Sequence, residues 1–148
     1  MYVRRAWDDE LDACAALYER VAGSLFDWAP QEDLTAVAIR PSFDLEEVYI
    51  ALQDGALTGF LSFYRPGNFV HSLFVERRGC GAGTALLAHM SDVTEGPPTL
   101  KCSELNLEAM AFYLNRGWTE IERGDTDGLA WRRLRARLTP AGELRNRN

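Results

Sequence analysis

A chain of 148 residues, 47% hydrophobic and 26% charged, has the size of one ordinary domain and can bury a core without disulfide or metal staples. Its net charge of −6 argues against a duplex nucleic-acid binder, which needs a basic face, and leaves any phosphate-bearing ligand to be met locally by amides and a few arginines. Three unclustered cysteines and two histidines suggest neither a disulfide framework nor a metal site, and with no apolar run near ~20 residues and no signal-peptide stretch, a soluble, cytoplasmic protein without membrane attachment is expected.

In chain order, Tyr2 to Trp7 has strand composition, and Asp8 is placed to cap a helix with Asp9 and Glu10 in its first turn. Leu11, Cys14, Ala15, Tyr18, Val21, Ala22 and Leu25 recur at helical spacing as one apolar stripe, with Gly23 and Ser24 marking where the helix frays or ends. Pro30 opens a short helix over Glu32 to Ile39, and Pro41 closes it. Glu47 to Gln53 and Ala56 to Tyr64 read as strands joined by an Asp54-Gly55 turn. Arg65 to Asn68 makes a second turn, and Phe69 to Val75 a third strand of the same antiparallel meander.

The pattern then changes. A glycine-rich segment at Gly79 to Gly83 leads into a helix over Thr84 to Val93, where Leu86, Leu87, Met90 and Val93 give an apolar face. Thr99 to Ser103 reads as a buried strand, parallel to the previous one if the crossover is right-handed. Asn106 is the next N-cap, with Leu105 and Met110 as a hydrophobic staple and Leu107, Met110, Ala111 and Leu114 facing one way. Gly117 suits the left-handed position after the last turn, with Trp118 folding back onto Tyr113 or Phe112. Trp118 to Arg123 and Leu129 to Leu138 are two last strands around Asp127-Gly128, and residues 139–148 form a polar tail after a single domain over 1–138.

Arg78-Gly79-Cys80-Gly81-Ala82-Gly83 stands between a strand and a helix, where backbone amides bind anions best. No lysine follows, as the nucleotide-hydrolase loop would need, and the GxGxG spacing does not match the dinucleotide fingerprint GxGxxG. The RxxGxG of Arg78, Gly81 and Gly83, after Leu73-Phe74-Val75 and before Thr84, resembles motif A of the GNAT superfamily of N-acetyltransferases. Asn106, Ala109, Phe112, Tyr113 and Gly117-Trp118 resemble that family's later signature, so the likeness spans roughly residues 47–131. Taken alone, the loop also reads as a tight turn. Two departures stand out: only Glu76 and Arg77 separate Val75 from Arg78, leaving open how these two are aimed, and Cys80 replaces a frequently basic residue.

The resemblance implies an α/β (α+β) fold: a mixed, mostly antiparallel sheet of six to seven strands, splayed between the fourth and fifth and flanked by three to four helices. It implies acetyl coenzyme A as cosubstrate, with no metal, bound through Leu73, Phe74, Val75, Arg78, Gly79, Cys80, Gly81, Ala82, Gly83, Thr84, Asn106 and Phe112. A basic Arg77 is an alternative to Arg78, and capping explains Asn106 as well as cofactor contact does. An amide at or beside Val75 would polarise the thioester carbonyl, and Tyr113 would protonate the leaving thiolate. An aromatic pair that merely packs the core is the alternative for Tyr113.

His71 is the preferred general base because its ordinary pKa suits neutral pH. Strict alternation puts His71, Leu73 and Val75 on one face, and Glu47, Glu104 and a water chain are its rivals. A purely structural histidine is equally consistent. Asp27, Trp28, Glu32 and Asp33 lie where the family closes over its acceptor, or else form a solvated loop. Cys102 reads as packing. The implied function is transfer of acetyl to an unidentified primary amine in a ternary complex, with a homodimer allowed. A non-catalytic acyl coenzyme A sensor or an interaction domain of the same fold is the alternative.

Overall fold

The computed structural model describes residues 1–137, so the expected polar tail at 139–148 lies outside the described residues. The chain forms two compact units, one spanning Met1–Val93 and the other beginning at Thr94. No helix among the described residues is long and apolar enough to cross a membrane.

The first unit holds strands β1 (Tyr2–Arg5), β2 (Glu47–Gln53), β3 (Ala56–Tyr64) and β4 (Phe69–Val75), each antiparallel to the next. The Asp54-Gly55 turn works as expected, since both residues adopt the positive φ (53° and 80°) that a two-residue hairpin requires. Helix α1 (Leu11–Leu25) lies on one face of this meander. Leu11, Cys14, Ala15 and Leu17 join Val48, Ile50 and Phe60 in a common core. Helix α3 (Ala82–Val93) packs on the opposite face, where the His89 and Tyr49 rings are 5.3 Å apart. Gly59 allows this approach: a β-carbon there would stand 3.0 Å from the Phe74 carbonyl oxygen and 3.4 Å from the Ala82 β-carbon.

Several local expectations are corrected. Asp8 is not the cap, because β1 stops at Arg5 and a short 3-10 turn covers Asp8–Glu10. There the Glu10 carboxylate accepts from the Trp7 amide at 2.8 Å and is held by Arg4 at 2.7 Å. Helix α1 runs through Gly23 and Ser24 to Leu25, which is 39% exposed, while Leu17, outside the expected stripe, is fully buried. The single helix expected over Glu32 to Ile39 is three pieces: a turn at Gln31–Leu34, α2 (Ala36–Ile39) and a turn at Arg40–Leu45. Thr35 separates the first two by capping α2, and Pro41 opens the third turn, where its fixed φ is already helical.

The second unit pairs β5 (Thr99–Ser103) with β7 (Leu129–Arg135) and β7 with β6 (Thr119–Thr126), both antiparallel. Helix α4 (Leu107–Asn115) begins at Asn106, whose side chain accepts from the Ala109 amide at 3.3 Å. Of the expected stripe it buries Met110, joined by Tyr113 three residues on, while Leu107, Ala111 and Leu114 stay exposed. Leu105, 51% exposed, forms no sealed staple. Gly117 takes the expected left-handed φ of 86°, the Trp118 amide returns to the Tyr113 carbonyl at 3.1 Å, and β6 therefore starts at Thr119. Strand β7 ends at Arg135, short of the expected Leu138, which is itself outside the described residues.

Phe60 is wholly buried where α1 meets the sheet. Phe60→Ala should cost about 3–5 kcal/mol, read as a lowered urea midpoint with an unchanged slope.

Candidate functional site

The glycine loop leaves β4 by a short, tied path. The Glu76 amide donates to the Thr58 carbonyl at 2.8 Å, and its carboxylate accepts from Arg20 at 2.9 Å, so Glu76 is aimed back at α1. Arg77 is exposed and makes no ion pair with a described residue. Gly79 and Gly81 adopt φ of 73° and 87°, a region that a β-carbon disfavours. A β-carbon at either would meet nothing within 4 Å, so the demand is conformational and the space beside the loop is open.

Helix α3 starts at Ala82, two residues before the expected Thr84, which brings Gly83 and Thr84 into its first turn. The Ala85 amide donates to the Gly81 carbonyl at 3.0 Å. The opening turn of a helix presents its amides outward along the axis, and no acidic side chain stands in this turn. Donors at a positive helix end, flanked by open space, fit a pyrophosphate.

Within the first unit, a cavity of about 360 Å³ is lined by Tyr18, Phe26, Asp33, Ser42, His71 and Phe74, with Ser72 beside them. His71 reaches it through an irregularity in the sheet. Ser72 opposes Ser62 and Val70 opposes Phe63, so His71 is an extra residue without a β3 partner. This bulge overturns the strict alternation. Leu73 opposes Leu61, whereas His71 joins Ser72 and Phe74 at the cavity.

The His71 Nδ1 atom stands 2.9 Å from Glu46 Oε2; the histidine side chain is 47% exposed and the carboxylate only 7%. The bond to Glu46 raises the pKa of His71 above its ordinary value, outweighing the opposing effect of burial. Glu46 Oε1 is buried and accepts no hydrogen bond. Sequence reasoning missed Glu46, Tyr18, Ser42 and Ser72. For Glu46 a signal existed: on an extended backbone it is in phase with Val48 and Ile50, placing an acid on an otherwise apolar face.

The rival bases are engaged elsewhere. Glu47 is held by the Arg65 guanidinium and accepts from the Tyr49 hydroxyl at 2.7 Å. Chiefly through Arg65, its carboxyl is pulled down to about 2. Glu104 accepts from Arg132 Nε at 3.0 Å. Of the acceptor-segment residues, Asp33 lines the cavity and takes the Tyr18 hydroxyl on its carbonyl at 2.9 Å, while the Trp28 ring lies 5.1 Å from that of Phe26. Asp27 and Glu32 are exposed and are not among the cavity's lining residues.

In the second unit Tyr113 is 7% exposed, with its ring 5.3 Å from both Phe112 and Trp118. Burial, with a smaller effect from Cys102, pushes the phenol above its ordinary range, so it is a neutral hydroxyl at physiological pH. Arg116 lies 3.6 Å over the Phe112 ring. Burial raises the Cys102 thiol to about 11, consistent with packing.

A family model described as the acetyltransferase (GNAT) family matches residues 11–118, well over half of the chain. Comparison with curated proteins finds no match. Among solved structures, the GCN5-related N-acetyltransferase of Rhodopseudomonas palustris is similar with a TM-score of 0.76 at 19% identity, covering 93% of this chain and 95% of that one. The PaiA N-acetyltransferase of Thermoplasma acidophilum, solved with coenzyme A, gives 0.71 at 16% identity over 92% and 98%. YncA of Salmonella typhimurium, a putative acetyltransferase solved with acetyl coenzyme A, gives 0.69 at 17% over 93% and 94%. At these identities the likeness establishes the fold, and it is the mixed α/β class expected from the sequence; the described residues hold four strands in one unit and three in the other.

Because the folded pKa of Glu47 is depressed from 4.5 to about 2, its stabilising effect is complete above pH 4.5 and disappears as pH falls toward 2. The denaturation midpoint of the wild type should therefore fall across that window more steeply than that of Glu47→Gln.

Proposed function

Since this chain belongs to the GNAT acetyltransferase family, we propose that it is a cytoplasmic N-acetyltransferase, acting through residues 1–138 as one functional domain. It transfers acetyl from acetyl coenzyme A to a primary amine by direct attack in a ternary complex, without a metal. The observation that carries this reading is the loop opening α3: two positive-φ glycines leading into a helix N-terminus whose first turn carries no acidic side chain.

Acetyl coenzyme A supplies the acyl group as a thioester. The amides of Gly81 to Thr84, with Arg77 and Arg78, hold its pyrophosphate; the backbone of Leu73 to Val75 takes the pantetheine arm. The ring of Phe74 is stacked on Phe60 at 5.8 Å and meets Tyr18 edge-on at 4.9 Å on the cavity side, so its backbone is the part offered to the pantetheine arm. An amide at Val75 stabilises charge on the carbonyl oxygen. His71 removes a proton from the acceptor ammonium, and the neutral phenol of Tyr113 gives one to the departing sulfur. Asn106 serves α4 as its cap, with Phe112 beside the acid.

The acceptor enters the cavity of the first unit, whose aromatic walls and Asp33 suit an amine with an apolar body. Its identity is open to a screen of amines that follows free thiol release.

Calorimetry with acetyl coenzyme A should show saturable binding, and absence of binding at millimolar cofactor would overturn the assignment. Tyr113→Phe should retain that binding while turnover falls about 10²- to 10⁴-fold. Binding without transfer to any amine would make the chain an acyl coenzyme A binding module instead.

A further inference from the structure

The pairing of His71 with Glu46 has features that packing does not call for. Glu46 is 7% exposed on a face otherwise made of Val48, Ile50 and Phe60, where an ionised carboxylate is costly unless paired. Its Oε1 atom stays unbonded, and so does the Oγ of Ser62, which opposes both Val48 and Ser72 across the ladders. His71 meets Glu46 only because the bulge gives up a β3 pairing at that residue. Two locally unfavourable features thus converge at a histidine on a cavity wall.

Resting on the assignment of His71 as base, we propose that Glu46 is its positioning residue: the carboxylate accepts the Nδ1 proton, fixes the tautomer and leaves Nε2 to take the acceptor's proton. The step balances simply. An N–H bond of the substrate ammonium breaks, its electron pair becomes the nucleophile's lone pair, and the proton forms a new bond to Nε2. The imidazolium so formed stands beside an ionised carboxylate, which lowers its energy, and later releases the proton to solvent. The other titratable groups at this cavity are Asp33 and Tyr18; the Tyr18 hydroxyl is turned to the Asp33 carbonyl rather than to the imidazole. Glu46 is therefore the group paired with Nδ1.

The first measurement needs no turnover. The His71 imidazole, followed by NMR in the wild-type protein, should titrate above 6.5, and in Glu46→Gln the midpoint should drop. The second uses thiol release from saturating acetyl coenzyme A with n-butylamine as probe. Glu46→Gln should move the acidic limb of the kcat/KM profile to lower pH and reduce kcat on the order of tenfold or more, leaving KM for acetyl coenzyme A unchanged. Glu46→Asp should recover part of the loss. A wild-type midpoint at or below 6.5, or a Glu46→Gln profile matching wild type while His71→Gln is inactive, would overturn the positioning role and leave the base standing. Full turnover by His71→Gln would instead overturn the base itself, and with it the role of Glu46.

Discussion

The face that β2, β3 and β4 turn toward α1 is apolar along most of its length, and the chemistry of the first unit is set by where that apolar surface gives out. Phe60 sits at its centre, 5.5 Å from Phe43 and 5.8 Å from Phe74, and Phe74 in turn meets Tyr18 and Phe26. These rings fix α1 and the turns after it against the sheet by area and shape. The cavity lies at the margin of this aromatic group, so its walls are rigid on one side and polar on the other.

Electrostatically the molecule solves two opposite problems by different means. Overall it is acidic, with a charge of −6, a field that would favour the proposed cationic acceptor and oppose the proposed phosphate-bearing cosubstrate. For the anion, the first turn of α3 offers neutral donors held by backbone geometry, which carry no acidic competitor and need no net positive field. At the cavity, charge is instead local and paired, Glu46 with His71, and beside the glycine loop Arg20 holds Glu76 toward α1.

The second unit is organised around the turn at Gly117. The left-handed residue lets Trp118 fold onto Tyr113, which buries the phenol and keeps it protonated. Strand β7 carries the basic partners Arg132 and Arg133, matched by Glu104, Glu120 and Glu122. Glu104, a rival base by its position after β5, is thereby paired with Arg132.

Much of this was written locally. The Asp54-Gly55 hairpin, the Asn106 cap, Gly117 before an aromatic and the glycines ahead of α3 each depend on φ angles or bonds within a few residues, so residue types in order determined them. The sequence also singled out His71 by its ordinary pKa and Tyr113 by its place in the motif that resembles the GNAT family. It misplaced the His71 side chain because alternation assumes an unbroken ladder, and whether a strand bulges is settled by how its neighbour packs. It passed over Glu46 because that residue's partner stands on β4, two strands away in the sheet. Local rules fixed the turns, the caps and the glycine loop ahead of α3; only the tertiary structure decided which acids are spent in ion pairs and which one stands behind the histidine, because pairing between distant residues follows from packing.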